Sequence, residues 1–225
     1  MALILNIETT SPVCSVCLAK DGAVVDFRES REANSHARLL TVMIEELASS
    51  NRISFQELEA VAVSAGPGSY TGLRIGVSAA KGLCYALNKP LISVPTLFSL
   101  AHGIQQKIKS ATAFYMPVMD ARRMDIYTAV YDNEGNEVLK TACLTVNEES
   151  EKIIASFGDI YIGGNAVNKC KSIFTASNIH FVDEVDCDSR WMINIAEEKY
   201  RQNDFESTAY FEPIYLKEFT GRAGN

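Results

Sequence analysis

An α/β chain in two halves, each built on a mixed sheet and the second reduced, is the fold class this sequence predicts. Three observations predict it. The first hundred residues open with three strand-like runs and then alternate helix and strand. Asp21-Gly22 and Asn133-Glu134-Gly135 each mark a reversal of the chain. No low-complexity stretch or flexible linker separates the halves.

The elements follow in order. ALILNIE (2–8) is a short continuous apolar run, which reads as a buried strand. PVCSVCLAK (12–20) and AVVDFRES (23–30) are two more strands, joined by the Asp-Gly hairpin. Ser35 precedes HARLLTVMIEELASS (36–50) as a helix cap. EAVAVSAG (59–66) is a strand that ends in glycine. The loop GPGSYTG (66–72) leads into a helix to about Leu87, stopped by Asn88-Lys89-Pro90. LISVP (91–95) is a strand and TLFSLAHGIQQKIKS (96–110) a helix. This order, β-β-β-α-β-α-β-α, is that of the ribonuclease H-like fold, an antiparallel meander feeding parallel crossovers. It predicts a five-stranded mixed sheet with helices on both faces. In the second half AFYMPVMDA, MDIYTAVYD, EVLKTACLTV, DIYIGG and IHFVDE read as strands. Asn147 caps EESEKIIASF, and Asp188 or Ser189 caps RWMINIAEEKYRQN. FEPIYL (211–216) is apolar and is expected to dock back on the body. The halves divide as 1–108 and 109–225.

Composition narrows the function. The 225 residues are 47% hydrophobic and 22% charged, with a net charge of -7, an ordinary globular balance. A chain that holds RNA by itself presents a basic face. Only Arg122 with Arg123 and Lys169 with Lys171 cluster here, so any link to RNA is expected to be indirect. No run approaches the roughly eighteen apolar residues of a membrane helix. The N-terminus lacks a basic leader region and meets Glu8 early, so it reads as a strand, and the expected compartment is the cytoplasm. Cys14 and Cys17 form a C-x-x-C, but in a strand residues three apart face opposite ways. No second pair completes a zinc site, so the six cysteines are expected to be ordinary thiols.

Two segments carry candidate chemistry. Ile7-Glu8-Thr9-Thr10-Ser11 delivers an acid and three hydroxyls into a turn. Thr9, Thr10 and Ser11 can donate to phosphate oxygens and Glu8 can hold a metal-bound water; equally, the hydroxyls can satisfy turn amides. Ser64-Ala65-Gly66-Pro67-Gly68-Ser69-Tyr70-Thr71-Gly72-Leu73-Arg74-Ile75-Gly76 is a strand-to-helix turn with Thr71 as the cap, whose free amides can hold an anion. On the helix that follows, at about 100° per residue, the polar side chains Arg74, Ser78, Lys81 and Tyr85 share one strip. Both flanks are apolar, more than sheet packing requires. Gly72, Gly76 and Ala80 recur at intervals of four and admit another backbone. On the 36–50 helix Leu39, Leu40, Met43, Ile44 and Leu47 form a stripe, with Val42 outside it. The surplus predicts a protein interface through Leu40, Val42, Ile44, Gly72, Arg74, Ile75, Gly76, Ala79, Ala80 and Leu83.

The 64–76 segment, with Ile7–Ser11, MDARRMDIY and PIYLKEF, resembles the TsaB (YeaZ) family, relatives of TsaD in the actin-like superfamily. The resemblance covers most of the chain, best over the first hundred residues. It implies two actin-like domains and a non-catalytic scaffold or activator in forming threonylcarbamoyladenosine in tRNA. It implies a heterodimer with TsaD, with TsaE joining, a homodimer when alone, and contact with tRNA only indirectly. Catalytic TsaD carries a metal-binding histidine pair where this sequence has Thr96 and Leu100. His36, His102 and His180 do not pair at ligand spacing. The hairpin Asp120-Ala121-Arg122-Arg123-Met124-Asp125 lacks the glycines of the superfamily's second phosphate turn, and its acids and arginines are expected to pair with each other. Gly163-Gly164-Asn165-Ala166 reads as a strand-to-helix turn. No catalytic residue, metal site or tightly held cofactor is expected, and ATP or ADP only weakly or at the partner interface. The rival readings are a metallo-glycoprotease, a small-molecule kinase or a chaperone.

Overall fold

A computed structural model describes residues 2–217. β1 (Leu3–Glu8), β2 (Cys14–Lys20) and β3 (Ala23–Ser30) form the antiparallel meander, and β4 (Ala60–Ser64) and β5 (Leu91–Val94) extend it in parallel, in the order β3-β2-β1-β4-β5. The hairpin works because Asp21 and Gly22 both take positive φ, as such a tight turn demands. β1 is central and buried along its whole length, which is why it reads as an apolar run instead of an alternation. One face packs Leu3, Leu5 and Ile7 under α1 (His36–Ser50) and α2 (Tyr70–Leu87). The other packs Ala2, Ile4, Ala60 and Ile92 under Met192 and Ala196, the latter on α6 (Ile193–Gln202). The five-stranded mixed sheet with helices on both faces is as the element order predicts.

The second sheet repeats the first. β6 (Phe114–Asp120), β7 (Asp125–Tyr131) and β8 (Glu137–Thr145) run antiparallel, and β9 (Ile160–Gly163) and β10 (Ile179–Val182) add in parallel, in the order β10-β9-β6-β7-β8. Its own helices, α4 (Glu148–Ala155) and α5 (Val167–Lys171), are short, so this half is the reduced one. The division at 108 separates the strands but not the cores. α3 (Thr96–Ile108) buries Leu97, Leu100 and Ile104 on the second sheet, while α6 returns to the first.

Two caps differ from expectation. The N-cap of α2 is Ser69, which accepts from the Gly72 amide at 3.2 Å, and Thr71 lies inside the helix. Ser35 precedes α1 but its hydroxyl donates to Glu32 O at 2.7 Å instead of capping. Asn147 and Asp188 cap as their sequence contexts predict. The segment after α6 runs back over the first sheet: Glu206 bridges to Leu91, and the Ile214 amide donates to Ala65 O at 2.7 Å.

Candidate functional site

The turn after β1 is built inward. Glu8 is fully buried, and its carboxylate accepts from the Thr10 amide at 2.6 Å, from the Thr10 hydroxyl at 2.5 Å and from the Ser64 hydroxyl. Burial raises its pKa above the ordinary carboxylate value; these bonds oppose the rise and nearby Asp188 adds to it. The Thr9 hydroxyl donates to Gly72 O at 2.8 Å, and that of Ser11 donates to Val13 O and accepts from its amide. All three hydroxyls are thus engaged by the chain's own groups, though only that of Ser11 satisfies a turn amide. The Glu8 carboxylate faces Thr10 and Ser64.

The small-residue stripe of α2 meets this same turn. A Cβ on Gly72 would stand 2.0 Å from Thr9 O, and one on Gly76 2.2 Å from Thr9 Oγ1. Gly72 and Gly76 therefore admit the chain's own turn after β1, not a partner's backbone, and fully buried Ala80 lies in the core. Leu40 and Ile44 are likewise core. This corrects half of the expected interface. What remains outward is Val42, at 42% exposure, with Arg74 exposed and Ile75, Ala79 and Leu83 half-buried. Between α1 and α2 lies a groove of about 520 Å³ whose lining includes Ala37, Leu40, Thr41, Arg74, Ile75 and Ala79; Val42 and Leu83 lie outside it.

A cleft of about 1350 Å³ lies between the two halves, with Thr10, Ser11 and the α2 N-terminus on one wall and Asp120–Arg123 on the other. The acids of this hairpin do not pair with its arginines. Asp120 binds Lys169 at 2.9 Å and Asp125 binds Lys217 at 2.6 Å. Partial burial works against the ionised Asp120, but the Lys169 contact and the Arg122 amide bond together outweigh it and lower its pKa; Lys217 lowers that of Asp125. Arg122 and Arg123 take positive φ, so the turn is tight without glycine. Gly163–Ala166 is a strand-to-helix turn, in which Asn165 Oδ1 accepts from the Asp120 amide.

The histidines stand apart. His36 contacts Ser11 O at 2.9 Å, His102 lies 2.9 Å from Gln106 Nε2, and His180 pairs with Asp159 at 3.0 Å. Thr96 is buried and its Oγ1 accepts from the Gly66 amide at 3.0 Å, while Leu100 is core. Among the described residues no group of His, Cys, Asp and Glu could hold a metal ion. Cys14 and Cys17 sit in separate cores, and burial pushes both thiols up to about 12.

Sequence reasoning missed Tyr215. Its ring stands 5.0 Å from that of Tyr70, and the Arg74 guanidinium lies 4.3 Å over Tyr70. FEPIYL marks the tail as apolar, but nothing in it says which helix it meets.

Comparison with known proteins agrees with the fold. A family model described as TsaD, tRNA N6-adenosine threonylcarbamoyltransferase, matches residues 30–182. The Escherichia coli tRNA threonylcarbamoyladenosine biosynthesis protein TsaB is 34% identical over 137 residues, 60% of this chain and 57% of that protein. The Haemophilus influenzae protein of the same name is 23% identical over 95% of this chain and 93% of its own length. The solved YeaZ structure from Pseudomonas aeruginosa superposes with a TM-score of 0.81 at 22% identity, covering 96% of this chain and 100% of that one.

Proposed function

The chain belongs to the TsaD family, among its TsaB (YeaZ) relatives, and on that premise we propose that it is a non-catalytic scaffold or activator for making threonylcarbamoyladenosine in tRNA. The observation that carries the non-catalytic part is the state of Thr96 and Leu100. Where TsaD is expected to hold a metal with two histidines, this chain has a buried loop-bracing threonine and a core leucine. Chemistry is then left to TsaD, which this chain binds and supports. The outward side chains Val42, Arg74, Ile75, Ala79 and Leu83 form the docking face. TsaE joins the complex, and the chain pairs with its own copy when TsaD is absent. With a net charge of -7 its contact with tRNA is indirect. The hydroxyls of Thr9, Thr10 and Ser11 are already bonded to the chain's own groups, which supports weak or partner-dependent ATP and ADP binding. No described helix is long and apolar enough to cross a membrane, and the work on tRNA belongs to the cytoplasm.

Co-purification with TsaD of the same organism tests the partnership, and mass spectrometry of tRNA from a strain lacking this chain tests the pathway. Loss of the modified nucleoside, restored by adding the chain back, is the expected result. The purified chain alone is expected to hold no stoichiometric transition metal and to turn over neither ATP nor glycoprotein. A stoichiometric metal with turnover lost on chelation would sink the scaffold reading.

A further inference from the structure

Resting on the docking to TsaD proposed above, we infer that the partner presents a carboxylate to Arg74, and that the C-terminal segment holds Arg74 ready for it through Tyr215. The groove between α1 and α2 is otherwise uncharged: Arg74 carries the only formal charge among its lining residues. Its guanidinium is exposed, lies 4.3 Å over the Tyr70 ring, and has the Tyr215 side chain beside it. Tyr215 is fixed in turn by the neighbouring backbone bond from Ile214 to Ala65 and by its ring contact with Tyr70 at 5.0 Å. Arg28, Arg31, Arg38, Arg190 and Arg201 each hold a carboxylate of this chain. Among the described residues Arg74 faces none.

Charge complementarity selects the occupant. A surface that closes over the apolar groove strips water from the guanidinium, and a buried cation without a counter-charge is strongly disfavoured. Two tyrosines supply ring faces and a hydroxyl but no negative charge. An Asp or Glu on the partner does, and a guanidinium already fixed against rings forms a charge-assisted pair with little further ordering. Tyr215 is therefore a positioning residue for Arg74, and the tail belongs to the docking face.

The experiment is calorimetric titration with TsaD of the same organism at low and high salt. Arg74→Ala, Arg74→Glu and Tyr215→Phe are compared with the native chain, and melting curves confirm the fold. Arg74 is exposed, so its variants are expected to melt like the native chain. Arg74→Ala is expected to weaken binding about 10-fold and Arg74→Glu about 100-fold or more, with a flatter salt dependence in both. Tyr215→Phe is expected to weaken it a few-fold and to leave the salt dependence intact, since the charge stays. A charge-reversed Asp or Glu of TsaD that restores Arg74→Glu would establish the pair. If TsaD binds the native chain and both Arg74 variants equally, the carboxylate contact is wrong and the docking reading stands. If the native chain does not bind TsaD, both fall. If Arg74→Glu breaks only self-association, the occupant is a second copy and the inference is overturned.

Discussion

Glu8 shows how much of this chain's chemistry turns inward. An acid at the end of a central strand invites a metal or a phosphate, yet here it is sealed under its own loop with Thr10 and Ser64. Because burial raises its pKa above 4.5, the folded chain binds that proton more tightly than the unfolded chain does. Stability therefore falls as pH rises from about 4.5 toward the raised value, and the loss is complete above it. Glu8→Gln removes this dependence while keeping an acceptor for the Thr10 amide and hydroxyl. Ser64 can turn to accept from the new amide and donate to Met192 Sδ, 3.6 Å away. The variant is expected to melt like the native chain below the ordinary carboxylate range and progressively above it as pH rises through the raised value. Melting curves across that range check this, and a native chain that gains on the variant with rising pH would overturn the sign. Two glycines of α2 give a second contrast at this scale. Gly72→Ala drives a Cβ to 2.0 Å from Thr9 O, a backbone atom, and is expected to cost about 1–3 kcal/mol or more. Gly82 has nothing within 4 Å of a Cβ, so Gly82→Ala is expected to gain about 0.5–1 kcal/mol from helix propensity. Denaturant titration of the pair separates close approach from propensity.

At the scale of elements, α1 and α2 are where the sequence is most informative and most ambiguous. Their lengths, the polar strip Arg74, Ser78, Lys81 and Tyr85, and the position of Val42 off the apolar stripe were legible, because 3.6-residue periodicity fixes which side chains share a face. Whose backbone meets Gly72 and Gly76 was not legible. Small residues at intervals of four say only that something comes close, and here it is Thr9, more than sixty residues away (|i−j| = 63 for its bond to Gly72). The cap moved from Thr71 to Ser69 for a local reason: both are hydroxyl residues at one turn, and only the loop geometry decides between them. In the β6–β7 hairpin the acids pair with Lys169 and Lys217, brought there by the fold, so sequence neighbours were the wrong partners to consider. These facts sharpen the mutational test of the docking face. Val42→Glu, on a side chain 42% exposed, is expected to leave the melting curve unchanged and to weaken both TsaD binding and self-association. Ala79→Glu is expected to weaken both but also to lower the melting temperature, because Ala79 packs partly against the core. If Val42→Glu leaves both associations at native strength, α1 is not part of the partner surface.

At the scale of the whole molecule, two α/β halves on mixed sheets were legible, but their shared strand order and what ties them together were not. α3 leaves the first half to pack on the second sheet, and α6 returns to the first. The segment after α6 forms no helix, carries no helical period, and bonds to residues more than ninety positions earlier. Glu206 holds Leu91 and Ser93, Lys81 holds Ala209 O and Phe211 O at 3.1 Å each, Ile214 holds Ala65, and Lys217 crosses to Asp125 and Ala121 of the second half. The final ion pair is partly exposed, with side-chain exposures of 38% and 27%. Asp125→Asn is therefore expected to cost less than about 1 kcal/mol. Truncation after Asn203 is expected to cost more, because it removes backbone hydrogen bonds and uncovers the core beside Phe211. The losses should also differ in place. The truncated chain is expected to exchange amide hydrogens faster at residues 66–72 and 121–125, the regions the segment braces, while the interior of β1 and β4 keeps its protection. Hydrogen exchange read by mass spectrometry distinguishes this from general loosening. Equal acceleration throughout both sheets would mean that the segment stabilises the fold as a whole, and unchanged exchange at 121–125 would mean that Lys217 does not tie the halves together.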